Sequence, residues 1–399
     1  MVLRRFILAT IVAGALLLPA TAVSASRRHA PVIRLARVPL QTAQLGPAGA
    51  SFALNYGSGR ISNDSLFVSS SGSSSSGGVI VSSRGSKSFG PLGGYVLDYG
   101  DPYTGSTGVT EIRSSVEAYR TRAAAKLQLS FGPLLVLFSE ALLGSPFTQV
   151  TVKKVKPAPV GQRRHGYLIT RTAPNLNPIV TLDEQVAAGR FVLDLTVTAG
   201  SASAAERVAP HLLRVLHRRL QLMLGGHALA KAPPLPPEPE AGQAPGGPDL
   251  STLILQPTDV GQSHAVNLIQ LYLPAPPALS DFFMLLAPAG TYAGLVQQIG
   301  WWPTATEATY AEAYGGGFPY GFSGDSSAET ATPVDLSAVG DGAVGVLETE
   351  DGKSTAYVRL TNGQAGESIV AIGNGTLQSS DVQSLAQAAA NRLDAGLGP

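Results

Sequence analysis

Two stretches of this chain carry the same landmarks in the same order, on either side of a segment that belongs to neither. Leu40-Gln41-Thr42-Ala43-Gln44-Leu45-Gly46 has a counterpart in Leu255-Gln256-Pro257-Thr258-Asp259-Val260-Gly261. Gly94-Tyr95, Thr110-Glu111 and Glu117-Ala118-Tyr119 are followed later by Gly300-Trp301, Thr306-Glu307 and Glu312-Ala313-Tyr314. Val160-Gly161 with Gly166 and Leu168 answers to Val339-Gly340 with Gly345 and Leu347. Val197, Gly200 and Arg219-Leu220 match Val370, Gly373 and Arg392-Leu393 at one constant offset. Four ordered matches predict a divergent tandem repeat, so the 399 residues divide into two units that each bury a core.

The end of each unit reads most clearly. In the second, GAVGVLETE, STAYVRLTN and GESIVAIG are strand-like and separated by Asp351-Gly352 and Asn362-Gly363, which predicts an antiparallel meander. Ser380-Asp381-Val382-Gln383 reads as a capping box that opens a helix through Leu393. In the first unit GYLITRT, IVTLDEQV and RFVLDLTVT take the strand roles. Ser203-Ala204-Ala205-Glu206 is the matching box, on a helix to about Leu224 that Pro210 should kink or delay. Residues 122–143 and 278–299 both read as broken, core-type helices. The expected fold class is therefore α+β: two related domains, each an antiparallel β-meander sheet backed by helices.

Domain limits follow from composition. Residues 1–25 have Arg4-Arg5, an apolar run from Phe6 to Pro19 and a small-residue Val23-Ser24-Ala25 site, the pattern of a cleaved signal peptide; an uncleaved anchor helix is the alternative. The first domain spans 26–225, with a Ser/Gly-rich insertion near 62–93 read as a flexible loop. Residues 226–249 form a Pro-rich linker of polyproline character, and 250–399 form the second domain. With no cysteine in the chain, disulfides, thiolate metal sites, a thiol nucleophile and lipid attachment after the apolar run are all excluded. The net charge of +1 hides an asymmetry. Residues 1–231 hold 25 Lys/Arg against 10 Asp/Glu, and residues 232–399 hold 3 against 17. Opposite fields on tethered domains predict intramolecular docking of the basic first domain on the acidic second.

Two common hydrolase motifs are missing, and while a pair of carboxylates in the acidic second unit could serve a glycosidase, nothing singles one out. No Gly-x-Ser-x-Gly nucleophile elbow and no His-Glu-x-x-His run occurs. Gly340-Asp341-Gly342-Ala343-Val344-Gly345 fits a dinucleotide fingerprint, but the strand-like VGVLETE follows where a helix is required, so it reads as a turn. Six scattered histidines offer no metal spacing, and neither a cofactor nor a metal is expected. Two surfaces are candidate ligand-binding sites. Arg207, His211, Arg214 and Arg218 recur along one helix face as an anion-binding stripe, joined by Lys153, Lys154, Lys156, Arg163 and Arg164; an ordinary solvated face is the alternative. Trp301, Trp302, Tyr310, Tyr314, Phe318 and Tyr320 cluster around Gly315-Gly316-Gly317. Of these, Trp301 is expected in the core opposite Tyr95, while Trp302 and Tyr320 are expected at the surface beside Tyr310, suited to a sugar ring or an apolar ligand.

The landmark order is Leu-x-x-x-x-Φ-Gly, an aromatic after Gly, a Val-Gly turn, a meander and a last helix ending in Arg-Leu. It resembles the extracytoplasmic sensor-type domains of actinobacterial proteins, the PknH-like extracellular domain and the LpqN-like proteins, and more loosely the Mog1/PsbP-like fold. The resemblance implies a non-enzymatic binding or sensor-like protein of the cell envelope, secreted or extracytoplasmic. Its ligand would be an anionic envelope polymer, lipid or glycan. No nucleic acid partner and no transmembrane helix after signal removal are expected. A carboxylate-dependent hydrolase of an envelope polymer and a protein–protein interaction module are the alternatives.

Overall fold

A computed structural model describes residues 34–55, 58–61, 92–130, 149–236, 247–260, 271–273, 280–286, 290–314, 330–340, 342–350 and 352–397. The signal-peptide reading, nearly all of the Ser/Gly insertion, the second part of the 122–143 stretch, the middle of the linker and Tyr320 lie outside them.

Two antiparallel sheets carry the chain. The first is preceded by the short helical turn α1 (Thr42–Leu45) and holds β1 (Gly59–Ile61), β2 (Gly93–Gly100), β3 (Val109–Ala118), β4 (Gln149–Val155), β5 (Arg163–Thr172), β6 (Ile179–Ala188) and β7 (Phe191–Ala199). Helix α2 covers 122–130, and α3 (Ala202–Leu224) follows β7. The second holds β8 (Leu271–Leu273), β9 (Ser280–Leu286), β10 (Tyr292–Trp301), β11 (Thr330–Val334), β12 (Val344–Glu350), β13 (Lys353–Asn362) and β14 (Ala365–Gly373). Its helices are α4 (Ala305–Tyr314), after β10, and α5 (Ser379–Leu397), after β14. The strand orders are β1-β2-β3-β7-β6-β5-β4 and, read from the same end, β8-β9-β10-β14-β13-β12-β11. This is an α+β architecture with one topology used twice.

Hydrogen bonds make the correspondence residue-specific. Leu40 N–H donates to Ser114 Oγ on β3 (2.9 Å), and Leu255 N–H to Gln297 Oε1 on β10 (2.9 Å). Tyr119 N–H reaches Arg190 O at 2.8 Å, and Trp302 N–H reaches Gln364 O at 2.9 Å. Thr121 and Thr304 cap the helices that follow, their hydroxyls accepting from Ala124 N (3.0 Å) and Glu307 N (3.1 Å). The tight turns β6–β7 and β13–β14 each place a glycine at positive φ, Gly189 (66°) and Gly363 (56°), where a side chain would be strained.

Each last helix closes a core. α3 lays Leu212, Leu213, Leu216 and Leu220 on β6 and β7, and α5 lays Val382, Leu385, Ala389 and Leu393 on the second sheet with Leu295, Ile299 and Ile369. Full burial of each large aliphatic side chain contributes roughly 1.5–3 kcal/mol. An arginine ties each opening segment to its helix. Arg219 is 7% exposed and donates to Val38 O (2.9 Å) and Arg37 O (2.6 Å), whereas Arg392 pairs with Asp259 at 2.6 Å.

Several local expectations are corrected. Residues 278–299 contain strands β9 and β10, not a broken helix. β10 buries adjacent residues of both faces, Leu295, Val296 and Gln297, so it lacks the alternation that marks a half-exposed strand. The cap of α3 is Ser201, whose side chain accepts from Ala204 N; the helix starts at Ala202 and runs past Pro210 without delay. α5 starts at Ser379, with Asp381 Oδ2 accepting from Gln378 N at 2.7 Å, and continues to Leu397. Gly94-Tyr95 lies on β2 and Gly300-Trp301 on β10, which takes the place of β3. Thr110-Glu111 and Glu117-Ala118 lie on β3, while Thr306-Glu307 and Glu312-Ala313-Tyr314 lie on helix α4, so those landmarks are not structural counterparts. The start of the Pro-rich segment is strapped to the first half, where Gln41 Nε2 donates to Lys231 O (2.7 Å) and Arg37 Nη1 to Leu229 O (3.1 Å).

Candidate functional site

The β3–β7 pairing ends at Ala118↔Phe191, and just beyond it the chain opens into a cleft of about 460 Å³. The Tyr119 N–H···O=C Arg190 bond fixes one wall, setting Arg120 beside the Gly189-Arg190 turn. Thr121 then caps α2, so Arg122 enters the cleft from the first residue of that helix. A third wall is the loop at Gly161-Gln162, where Gln162 N–H bonds Ala187 O at 2.8 Å. Gly161 sits at φ 69°, and a Cβ there would lie 2.2 Å from Val186 Cγ1; only glycine lets this loop approach β6. His217, Gln221 and Leu224 of α3 complete the lining.

None of the twelve lining residues is acidic, and three are arginines. Three guanidinium groups without a carboxylate among them raise the local potential for an anion. Burial pushes the His217 imidazole below the ordinary histidine range, so it adds positive charge only in acid. Its Nε2 lies 3.3 Å from Gln221 Nε2. Phe191 supplies an apolar wall with the Arg190 guanidinium 5.4 Å above its ring, and Leu224, half exposed, stands in the lining.

The counterpart positions of the second half are uncharged. Arg122 corresponds to Ala305 and Arg190 to Gln364, through the matched caps and turns; Arg120 corresponds to Pro303. Aligning Arg219 with Arg392 sets His217 opposite Ala390. One frame therefore carries the basic cleft in one half and not in the other.

The predicted stripe is where the sequence suggests. Arg207, His211, Arg214 and Arg218 are all exposed on α3. Helical spacing continues it from Arg214 and Arg218 to Gln221, at the cleft. Beneath it, burial lifts the Glu184 carboxyl to about 7, against the pull of the Ala158 backbone and Arg214. Lys153 and Lys154 are exposed on β4, an edge strand where lysine also discourages strand addition.

The aromatic candidates belong to a junction between the two halves. Trp302, expected at the surface, is 3% exposed and meets Tyr103 edge-on, with centroids 5.6 Å apart. Its true counterpart is the buried Tyr119, just past the end of β3, whereas the Tyr95–Trp301 match set β10 against β2, which explains the misreading. Tyr310 is buried too, its hydroxyl accepting from Asn177 N at 3.2 Å. The Tyr314 hydroxyl donates to Asn177 O (2.9 Å) and accepts from Ala173 N (3.1 Å). Two carboxyls of like sign, Asp101 and Glu307, interact here; burial, then Glu307 and Glu111, lift Asp101 to about 7.

Two carboxylates of the second half, Glu312 and Glu367, are held by internal partners. Ser368 Oγ donates to Glu312 Oε2 at 2.5 Å, and Gln297 Nε2 donates to Glu367 Oε1. In the first sheet, Asp98, Glu111 and Asp183 are buried, and desolvation lifts all three. Both Asp183 oxygens lack a hydrogen-bond donor, and the neighbouring Asp194 carboxyl adds to the burial that keeps Asp183 above the ordinary carboxylate range. Among the described residues no three His, Asp or Glu side chains are grouped to hold a metal, and no helix is long and apolar enough to cross a membrane. Gly345 of the glycine motif already lies in β12, so a strand follows it.

Sequence reasoning missed Arg120, Arg122 and Arg190, and noted His217 only as one scattered histidine. The one available signal was the pair of arginines around Thr121, ahead of a helix-type run.

No family model matches the chain, and no curated protein matches it. Among solved structures, it is similar to the extracellular domain of PknH from Mycobacterium tuberculosis, at 13% identity over 33% of this chain and 68% of that one, with a TM-score of 0.24. The functional reading rests on the cleft instead.

Proposed function

We propose that this chain is an exported, non-enzymatic binding protein of the cell envelope, built as a divergent tandem repeat, whose first half takes an anionic ligand in the basic cleft. The observation that carries this reading is a cleft of about 460 Å³ lined by Arg120, Arg122, Arg190 and His217 with no acidic residue. Its volume is in the range of small-molecule sites, and guanidinium groups are suited to oxyanions. The exposed stripe of Arg207, Arg214 and Arg218 extends the same field along α3 and gives a polymeric ligand a track towards the cleft. Trp302 and Tyr310 are assigned to the junction between the halves and not to the ligand. The second half keeps the frame without the charge and serves as the acidic partner of the pair.

The test is a titration with dextran sulfate and with neutral dextran at 50 and 300 mM salt. Saturable binding of the sulfated polymer alone, weakened at least tenfold by the added salt, is expected. Equal binding of both polymers, or of neither, contradicts the reading.

A further inference from the structure

We infer that the cleft is built for a phosphomonoester carried on a sugar-sized or headgroup-sized organic body. The inference rests on the anion-binding reading above and narrows it to one ligand chemistry. Charge is the first argument. Three permanent cations line the cleft with no lining carboxylate, so a single carboxylate or sulfate ester leaves two of them uncompensated, whereas a phosphomonoester brings about two charges. Geometry is the second. Guanidinium forks donate in pairs to oxyanions, and three of them match the three terminal oxygens of a phosphomonoester. Arg122 stands at the first position of α2, next to its capping residue Thr121, so the positive end of that helix adds to the field at the cleft.

Size and lining supply the organic body. A phosphoryl group has five heavy atoms counting its ester oxygen and fills a small part of 460 Å³. The rest of the wall is mixed: Ala188, Phe191 and Leu224 offer apolar surface, and Thr121, Gln162 and Gln221 offer neutral polar groups suited to hydroxyls. Its openness to solvent leaves room for the rest of a glycan or a lipid to run outward along α3.

The second half provides the control. Arg122→Ala, Arg190→Gln and His217→Ala convert the cleft into what Ala305, Gln364 and Ala390 already form on the same frame, so the triple variant should fold. Calorimetric titrations of the full chain would use glucose 6-phosphate, gluconate and glucose 6-sulfate, with vesicles of phosphatidic acid in phosphatidylcholine as a separate arm. The wild type is expected to bind a phosphomonoester at least tenfold more tightly than gluconate or the sulfate, and the triple variant to lose at least 30-fold. Binding of glucose 6-phosphate identifies a soluble or glycan source; binding of phosphatidic acid vesicles without glucose 6-phosphate identifies a lipid headgroup. Equal affinity for gluconate, or dextran sulfate binding with no phosphomonoester bound in either arm, overturns the ligand class and leaves the anion site standing. Loss of dextran sulfate binding as well overturns both. An unchanged triple variant that melts like the wild type places the phosphate elsewhere and refutes the inference.

Discussion

Arg219→Ala is expected to lower the melting temperature by roughly 6–12 °C, and Arg392→Ala by no more than about 3 °C. The two arginines hold matching places on α3 and α5 but do different things. Arg219 is buried and is the donor for two backbone carbonyls, Val38 O and Arg37 O. Its removal leaves those acceptors without their donor and strips the aliphatic stem from the core. Charge-assisted hydrogen bonds contribute about 1.5–3 kcal/mol each, so the loss is about 3 kcal/mol, at roughly 2–4 °C per kcal/mol for domains of this size. Arg392 makes its ion pair with Asp259 at the surface, where such pairs contribute about 0–1 kcal/mol. Arg219→Lys should fall between, because one ammonium cannot reproduce the planar fork that reaches both carbonyls. Scanning calorimetry decides it. Equal losses for the two alanine variants contradict the account of how the opening segment is held.

Stability should fall as pH rises from about 5 to 8. Burial lifts Asp101, Asp194 and Glu184 to about 7 and Glu367 to about 8. A carboxyl with a raised pKa keeps its proton in the folded chain after the unfolded chain has released it, so the folded state binds more protons across this window. Linkage then makes the slope of stability against pH negative from about pH 4, where the unfolded carboxyls ionise, until the folded groups ionise at 7 to 8, after which it levels. Relaxation around the newly charged groups leaves a net loss of roughly 2–4 kcal/mol, or about 5–10 °C in melting temperature between pH 5.5 and 8.5. Glu367→Gln removes the group lifted to about 8 and keeps an amide in reach of Gln297, so its profile should be flatter above pH 7. A melting temperature that is constant or rises over this range contradicts the assignment of neutral buried carboxyls.

Much of the fold could be read where structure is local. Gly189 and Gly363 mark their turns because a two-residue hairpin needs positive φ, and α3 and α5 announce themselves through helical spacing of leucines above a polar face. Reading failed where the deciding fact is long-range. β10 looks helical because it buries adjacent residues instead of alternating ones, and Trp302 looks exposed because its counterpart Tyr119 is found only through the backbone bonds to Arg190 and Gln364. The stripe of Arg207, Arg214 and Arg218 was legible because one helix holds it. The cleft was not: Arg120, Arg122, Arg190 and His217 come from a strand end, a helix start, a turn and a second helix, and only the β3–β7 pairing and the α3 packing join them.

The account stands on one claim, that an anion binds in the cleft of the first half and not at its uncharged counterpart. Hydrogen exchange by mass spectrometry, with and without dextran sulfate at low salt, tests it most directly. Protection is expected in peptides spanning 119–123, 161–163 and 189–191, with none in 303–306 or 363–365. Protection of the second half's segments, or of the α3 stripe alone with the cleft peptides unchanged, would contradict it.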